Sequence, residues 1–258
     1  ALEYTLFWYN KKNKIKNIFK CIQYFMASEE KNQNNIINSE SIFNNNKYIF
    51  ADKPINRFKT KPKVEDISIK LKELRDEIEK IENCELKKNA SKIVFSDGDN
   101  ESKIMIVGEG PGQKEDEIGK PFVGDAGILL NKMLKSINIE RKNVYITNVV
   151  NYRPPNNRKP EPTEITKYSN FLRKHISIID PKILILMGST AMESLFGSKI
   201  KITKERGLWK EIIVNNKTYL CMITFHPAYL LRQPENKKYS WMDLKEIRKK
   251  IDQLNIIL

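Results

Sequence analysis

The segment from Lys103 to Leu130, KIMIVGEGPGQKEDEIGKPFVGDAGILL, restricts the fold more than any other part of the chain. Ile104 to Val107 is a short apolar run with charge before it and glycine after it, which predicts a buried strand of a parallel sheet. Gly108-Glu109-Gly110-Pro111-Gly112 follows at once. Glycine accepts positive φ and carries no Cβ, so such a turn lets the backbone approach a ligand closely. Three acids and two lysines then crowd Lys114 to Lys120, the composition of a solvated acidic loop. Pro121-Phe122-Val123-Gly124 returns to apolar character, and Phe122 is too large for a mere spacer. Asp125 is the expected N-cap of a helix with Ile128, Leu129, Met133 and Leu134 on one face. Strand, glycine turn and helix in this order place a ligand site at the carboxyl end of a strand. Neither nucleotide fingerprint fits: the G-x-G-x-x-G turn must enter a helix directly, and the P-loop needs G-K-[ST].

Downstream, strand-like and helix-like segments alternate. Val144–Val150 reads as the second strand, Thr163–Ile179 as a helix capped by Thr163, and Ile183–Met187 as the third strand. Ser189–Phe196 follows as a short helix. Ile212–Phe225 breaks at Asn215-Asn216, a hairpin turn whose second arm, Tyr219–Phe225, is the fourth core strand. Trp241–Leu254 closes the chain as an amphipathic helix. This order predicts a three-layer α/β/α sandwich on a four-stranded, mostly parallel sheet. Upstream, apolar positions from Ile67 to Ile81 recur at helical spacing, so a helix is expected from Val64 to Glu82. The domain is therefore placed at 66–258. Residues 1–65 form an extension, with Leu2, Leu6, Phe7 and Tyr9 as a short docking helix and an Asn/Lys-rich linker after it.

Composition narrows the class. A net charge of +14 and a pI near 9.5 suit a polyanionic partner. Cys21, Cys84 and Cys221 are odd in number and far apart, so no disulfide framework is implied. No run approaches the ~18 apolar residues of a membrane span, and Leu2–Tyr9 is too short for a signal sequence. A cytoplasmic monomer without membrane contact is expected.

Three of the four expected core strands end in a polar cluster, where an α/β sheet holds its ligand. The first ends in Gly108–Gly112. The second carries Asn148 and runs into Tyr152-Arg153-Pro154-Pro155. The fourth ends in His226-Pro227-Ala228-Tyr229-Leu230-Leu231-Arg232. Taken singly, Asn148 is either an amide paired with backbone or a ligand reader, and His226 is either a cap or a catalytic group.

Together these motifs resemble a family. GEGPGQKEDEIGKPFVGDAGILLNKML, VYITNVV-x-YRPPNNRKPEPTE, PKILILMG, TKERG and FHPAYLLRQPENKKYSWMDL are similar to the family 4 uracil-DNA glycosylases, in order, across about residues 84–258. The resemblance implies a hydrolase that removes a flipped-out uracil from DNA and leaves an abasic site. It makes Phe122 the ring on which uracil stacks, Asn148 the reader of its O4 and N3–H, and His226 the donor to its O2. Glu109 and Glu115 are then near the sugar, and Gly110 keeps the pocket floor open. The residue types suit that chemistry on their own account. A donor toward O2 stabilises the leaving anion, typically by ~3–4 kcal/mol, and a carboxylate near the anomeric carbon steadies a cationic sugar and orients water. Arg158, Arg206, Arg232, Lys237 and Lys238 flank the motifs, either as phosphate grips or as plain solvated charge. Pro227-Ala228-Tyr229-Leu230 is an apolar tip suited to filling the vacated base stack.

One departure stands out. The resemblance implies a 4Fe–4S cluster on four cysteines, but Ile81, Tyr152 and Tyr168 occupy three of the four positions and only Cys84 matches. One thiolate cannot hold a cubane cluster, so no cofactor and no metal are expected. The partner is uracil-containing DNA, single- or double-stranded. A non-catalytic damage sensor is the alternative, and a polymerase-associated domain a third reading. The Arg153–Glu164 connection lacks the histidine-bearing insert of the covalent-trapping relatives, which argues against trapping.

Overall fold

The structure, a computed structural model, describes residues 64–258. The expected docking helix and linker lie outside the described residues.

Helix α1 (Val64–Glu79) begins where periodicity begins and stops three residues short of Glu82. A short α2 (Glu85–Asn89) starts after Cys84. A two-residue strand β1 (Asp97–Gly98) precedes β2 (Ile104–Gly108), every residue of which is buried. Then come α3 (Gln113–Ile118), α4 (Asp125–Lys135), β3 (Tyr145–Asn148), α5 (Pro162–Ile179), β4 (Ile183–Met187) and α6 (Ser189–Phe196). The rest is α7 (Ile202–Glu205), β5 (Trp209–Val214), β6 (Lys217–Thr224), α8 (Pro227–Arg232) and α9 (Lys237–Gln253).

The sheet order is β1-β3-β2-β4-β6-β5. The four inner strands are the four expected ones and run parallel, while β1 and β5 add antiparallel edges that sequence reading did not count separately. β5 and β6 turn at Asn215 and Asn216, whose φ values of 49° and 62° are those of a tight hairpin that asparagine tolerates.

Side chains alternate across the strands and build two cores. Met105, Val107, Tyr145, Leu184 and Leu186 face α1, α5 and α6, while Ile104, Ile106, Ile146, Ile183 and Ile185 face α4 and α9. The result is the expected three-layer sandwich. His175 belongs to the first core: it is buried, stacks on Phe95 at 4.5 Å between ring centroids and pairs with the Tyr145 hydroxyl at 2.8 Å. Burial holds it neutral, with its pKa pushed down to about 3.

Several local expectations are corrected. The acidic stretch is not a solvated loop but helix α3 with two buried acids. Asp116 accepts the amides of Ser91 and Lys92 at 2.9 and 3.2 Å. Glu115 accepts those of Gly112, Val123 and Gly124 at 3.2, 2.9 and 2.8 Å. Local charge density suggested solvent, but orphan backbone donors are what these carboxylates satisfy. Gly124, not Asp125, is the N-cap of α4, whose buried face is Gly127, Leu130, Met133 and Leu134, while Ile128 is exposed. Glu161, not Thr163, caps α5, with the Glu164 carboxylate returning to the Glu161 amide at 2.7 Å.

Among the described residues no helix is long and apolar enough to cross a membrane.

Candidate active site

The carboxyl ends of β2, β3, β4 and β6 open on a cleft of about 500 Å³. It lies where the strand order reverses, with β3 on one side of β2 and β4 on the other, the position that parallel sheets use for ligands. Glu109, Gly110, Glu115, Phe122, Asn148, Arg158, His226, Tyr229 and Arg232 all line it. Residues up to 123 positions apart in sequence thus meet at one sheet edge, since Glu109 and Arg232 both line the cleft.

Gly108 and Asn148 are register partners on β2 and β3. A Cβ on Gly108 would overlap the Asn148 amide oxygen and stand 2.5 Å from Phe122 Cζ. The missing side chain is therefore what lets the amide and the ring converge over the strand end. Buried Asn151 gives its amide to Val94 O at 3.1 Å, whereas the amide of Asn148 borders the cleft. The expectation of a simple backbone pairing fits Asn151, not Asn148.

Phe122 is buried and has φ 52°, a left-handed conformation that costs a bulky residue ~1–3 kcal/mol. Its ring sits 5.4 Å from that of His226, tilted by 30°. Sequence reading picked the ring but had no signal for this backbone.

His226 caps α8. Its Nδ1 accepts the Ala228 amide at 3.2 Å, while Nε2 is buried without a partner among the described residues. An accepting Nδ1 fixes the neutral tautomer with the proton on Nε2. Burial, helped by the positive charge of Arg232, pushes the pKa down to about 4. His226 thus lines the cleft with an uncharged ring whose Nε2–H has no partner among the described residues. A buried donor without a partner is a group that a ligand can satisfy.

Glu109 borders the same space, and one of its carboxylate oxygens accepts the hydroxyl of buried Thr190 at the start of α6. Thr190 was missed from sequence, and the only local signal is its position two residues beyond Gly188, at a strand–helix junction. Glu115 also lines the cleft, and three backbone donors on its carboxylate make it the clasp of the Phe122 loop.

The basic flank is also revised. Arg206 is packed between the rings of Phe225 and Tyr239 and paired with buried Asp243, which in turn accepts Thr224 Oγ1 at 2.7 Å. It braces the strand end before His226. Arg158 makes a bidentate pair with Glu164 at 2.8 and 2.7 Å. Arg232 and Lys238 are exposed, as is Lys237. Leu230 is 1% exposed and belongs to the core, so the apolar tip is Leu231, 43% exposed, beside half-buried Tyr229. Helical geometry turns adjacent leucines to different sides, which sequence alone does not orient.

The four positions at which the resemblance implies cluster ligands gather in the first core. Cys84 Sγ lies 3.3 Å from the Tyr168 hydroxyl, and Tyr152 and Ile81 pack into the same core. Burial pushes the Tyr152 phenol up to about 12 and raises that of Tyr168 further. One thiol, two neutral phenols and an alkyl chain do not make the ligand set of an iron–sulfur cluster.

A family model described as the uracil DNA glycosylase superfamily matches residues 95–246. The chain belongs to the uracil-DNA glycosylase superfamily. It is 42% identical to the type-4 uracil-DNA glycosylase of Thermotoga maritima over 63% of this chain and 83% of that protein. It is 41% identical to the type-4 enzyme of Sulfurisphaera tokodaii, over 69% and 83% of the two chains. The Archaeoglobus fulgidus type-4 enzyme is 36% identical over 66% and 88%. The matched span of the superfamily model contains every inner strand of the sheet and every cleft residue described above.

Proposed function

We propose that the protein is a monofunctional uracil-DNA glycosylase that hydrolyses the N-glycosidic bond of a flipped-out uracil. The observation that carries this reading is the convergence of three different base contacts in one cleft: the Phe122 ring, the Asn148 amide and the neutral His226 Nε2–H. A flat base with one donor and two acceptors uses all three. The similarity to three type-4 uracil-DNA glycosylases supports the same substrate.

The reaction follows from the residue types. The duplex gives up the base at a cost of a few kcal/mol, offset by stacking and edge contacts. As the bond from the sugar to N1 lengthens, negative charge collects on uracil O2, where the His226 donor meets it. Glu109, held at one oxygen by Thr190, keeps the other for the cationic sugar or the attacking water. Arg232, Lys237 and Lys238 supply phosphate contacts, and Leu231 with Tyr229 fills the emptied stack. Mixing the protein with single- and double-stranded oligonucleotides carrying one uracil should release free uracil and leave alkali-labile sites. Tight binding with no release, at enzyme in excess over DNA, would turn the reading to a damage sensor.

The same chain works without an iron–sulfur cluster, with the Tyr152 and Tyr168 rings packed at two of the ligand positions. Anaerobically purified protein should be colourless, active after chelation and free of stoichiometric iron. Four irons per chain with broad visible absorbance would overturn this.

A further inference from the structure

Phe122 is a bulky cleft residue held in the left-handed region that large side chains avoid, and the structure shows what keeps it there. On one side, Glu115 Oε1 holds the amides of Val123 and Gly124. On the other, Arg141 donates from Nη2 to Pro121 O at 2.6 Å and from Nη1 to Phe122 O at 3.0 Å. The same Nη1 also reaches Asn131 Oδ1 on α4 at 3.2 Å. Behind the guanidinium, Nε donates to Asp97 Oδ2 on β1 at 2.8 Å, and Lys120 approaches the other oxygen at 3.3 Å. Burial raises the Asp97 carboxyl, but Arg141 and Lys120 outweigh it and hold it below the usual carboxylate range. Gly127 completes the seat, because a Cβ there would overlap the Phe122 carbonyl.

Only a planar fork oriented from behind reaches two successive carbonyls and an anchoring carboxylate at once. Arg141 also stands in the turn that leads into β3, the strand carrying Asn148. One short segment therefore holds both the amide that reads the base edge and the clamp on the ring beneath the base. We infer that Arg141, oriented by Asp97, is a positioning residue that sets uracil-selective affinity by fixing the left-handed backbone of Phe122 and hence the plane of its ring. Lining no part of the cleft itself, Arg141 acts through Phe122. The inference rests on the reading of Phe122 as the stacking ring.

Duplexes carrying a non-cleavable uracil nucleotide (2′-fluoroarabino-uridine) and the same duplexes carrying a tetrahydrofuran abasic analogue separate the possibilities. The ratio of the two affinities measures the base contact alone. Arg141→Ala should lower that ratio by ~10-fold, the scale of one lost base–aromatic stack, with affinity for the abasic analogue within about twofold of the parent. In a Phe122→Ala background, Arg141→Ala should change the ratio by less than about twofold, since the ring through which it acts is gone. Asp97→Asn should move the ratio in the same direction. Arg141→Lys, whose single ammonium cannot span both carbonyls, should fall between Ala and parent while melting near the parent temperature. It carries the test if the alanine variant does not fold. An unchanged ratio in Arg141→Lys and Asp97→Asn, or equal losses for uracil and abasic DNA, would overturn the proposal and leave Phe122 in its role. A Phe122→Ala variant with the parental ratio would instead remove the stacking reading, and the proposal with it.

Discussion

His226→Ala should lower the single-turnover rate of uracil release by ~10²–10³ while affinity for uracil-containing DNA changes little. The Ala228 amide on Nδ1 leaves the proton on Nε2, and burial with the Arg232 charge pushes the ring's pKa down to about 4. The histidine is therefore an uncharged donor at neutral pH. Its partner, O2 of uracil, gains negative charge only as the glycosidic bond lengthens, so the interaction strengthens mainly in the transition state. That is why rate and affinity should separate. The depressed pKa adds a sign test. A folded pKa below the ordinary 6.5 means the ring stays neutral as pH falls through that value. The rate should then show no inflection from His226 between about pH 5 and about pH 8. Parental cleavage by His226→Ala would remove the residue from leaving-group stabilisation. An inflection near 6.5 that disappears in the variant would show the ring to be charged when it acts.

Asn148→Asp should abolish uracil release, by at least ~10³, since a site built to hydrogen-bond its substrate discriminates by up to ~10⁵. The side chain keeps its shape, so the cavity and the Phe122 contact over Gly108 persist. What changes is the pattern of donors: a carboxylate offers only acceptors where O4 needs a donor. An N4 amino group suits that acceptor, so a trace of activity toward cytosine is the expected gain. Uracil and cytosine release from otherwise identical strands, measured with variant in excess over DNA, decides the point. Uracil release at the parental rate would mean that Asn148 does not read the base.

The inner sheet was legible because its signals are local. Ile104–Val107 and Ile183–Leu186 are apolar runs of strand length, and the glycine turn after the first marks its carboxyl end. Asn148 and His226 stood out because a polar residue inside or just after such a run needs partners, and the family resemblance then gave each a role. Short or composite elements were less legible. Helix α3 is six residues long and rich in acids, so charge density concealed it. The acids of α3 make sense only once the Ser91, Val123 and Gly124 amides are brought to them by the fold.

Charge was the poorest guide. Arg206, Arg158 and Arg232 are equivalent as letters beside a motif. Arg206 is committed to Asp243 and two aromatic rings, Arg158 to Glu164, and Arg232 stands exposed at the cleft mouth. Partners for long side chains lie 37 residues away in the first case and six in the second, and no local pattern encodes the former.

Local signals carried the layered α/β fold, its four inner strands and the polar clusters at their ends, because periodicity and misplaced polarity act over a few residues. Assembly of the sheet sets which leucine of the Leu230-Leu231 pair reaches solvent, which arginines are tied to carboxylates, and that Glu115 and Arg141 clasp Phe122 from either side. Those outcomes depend on hydrogen-bond donors and acceptors that meet only after the sheet has assembled.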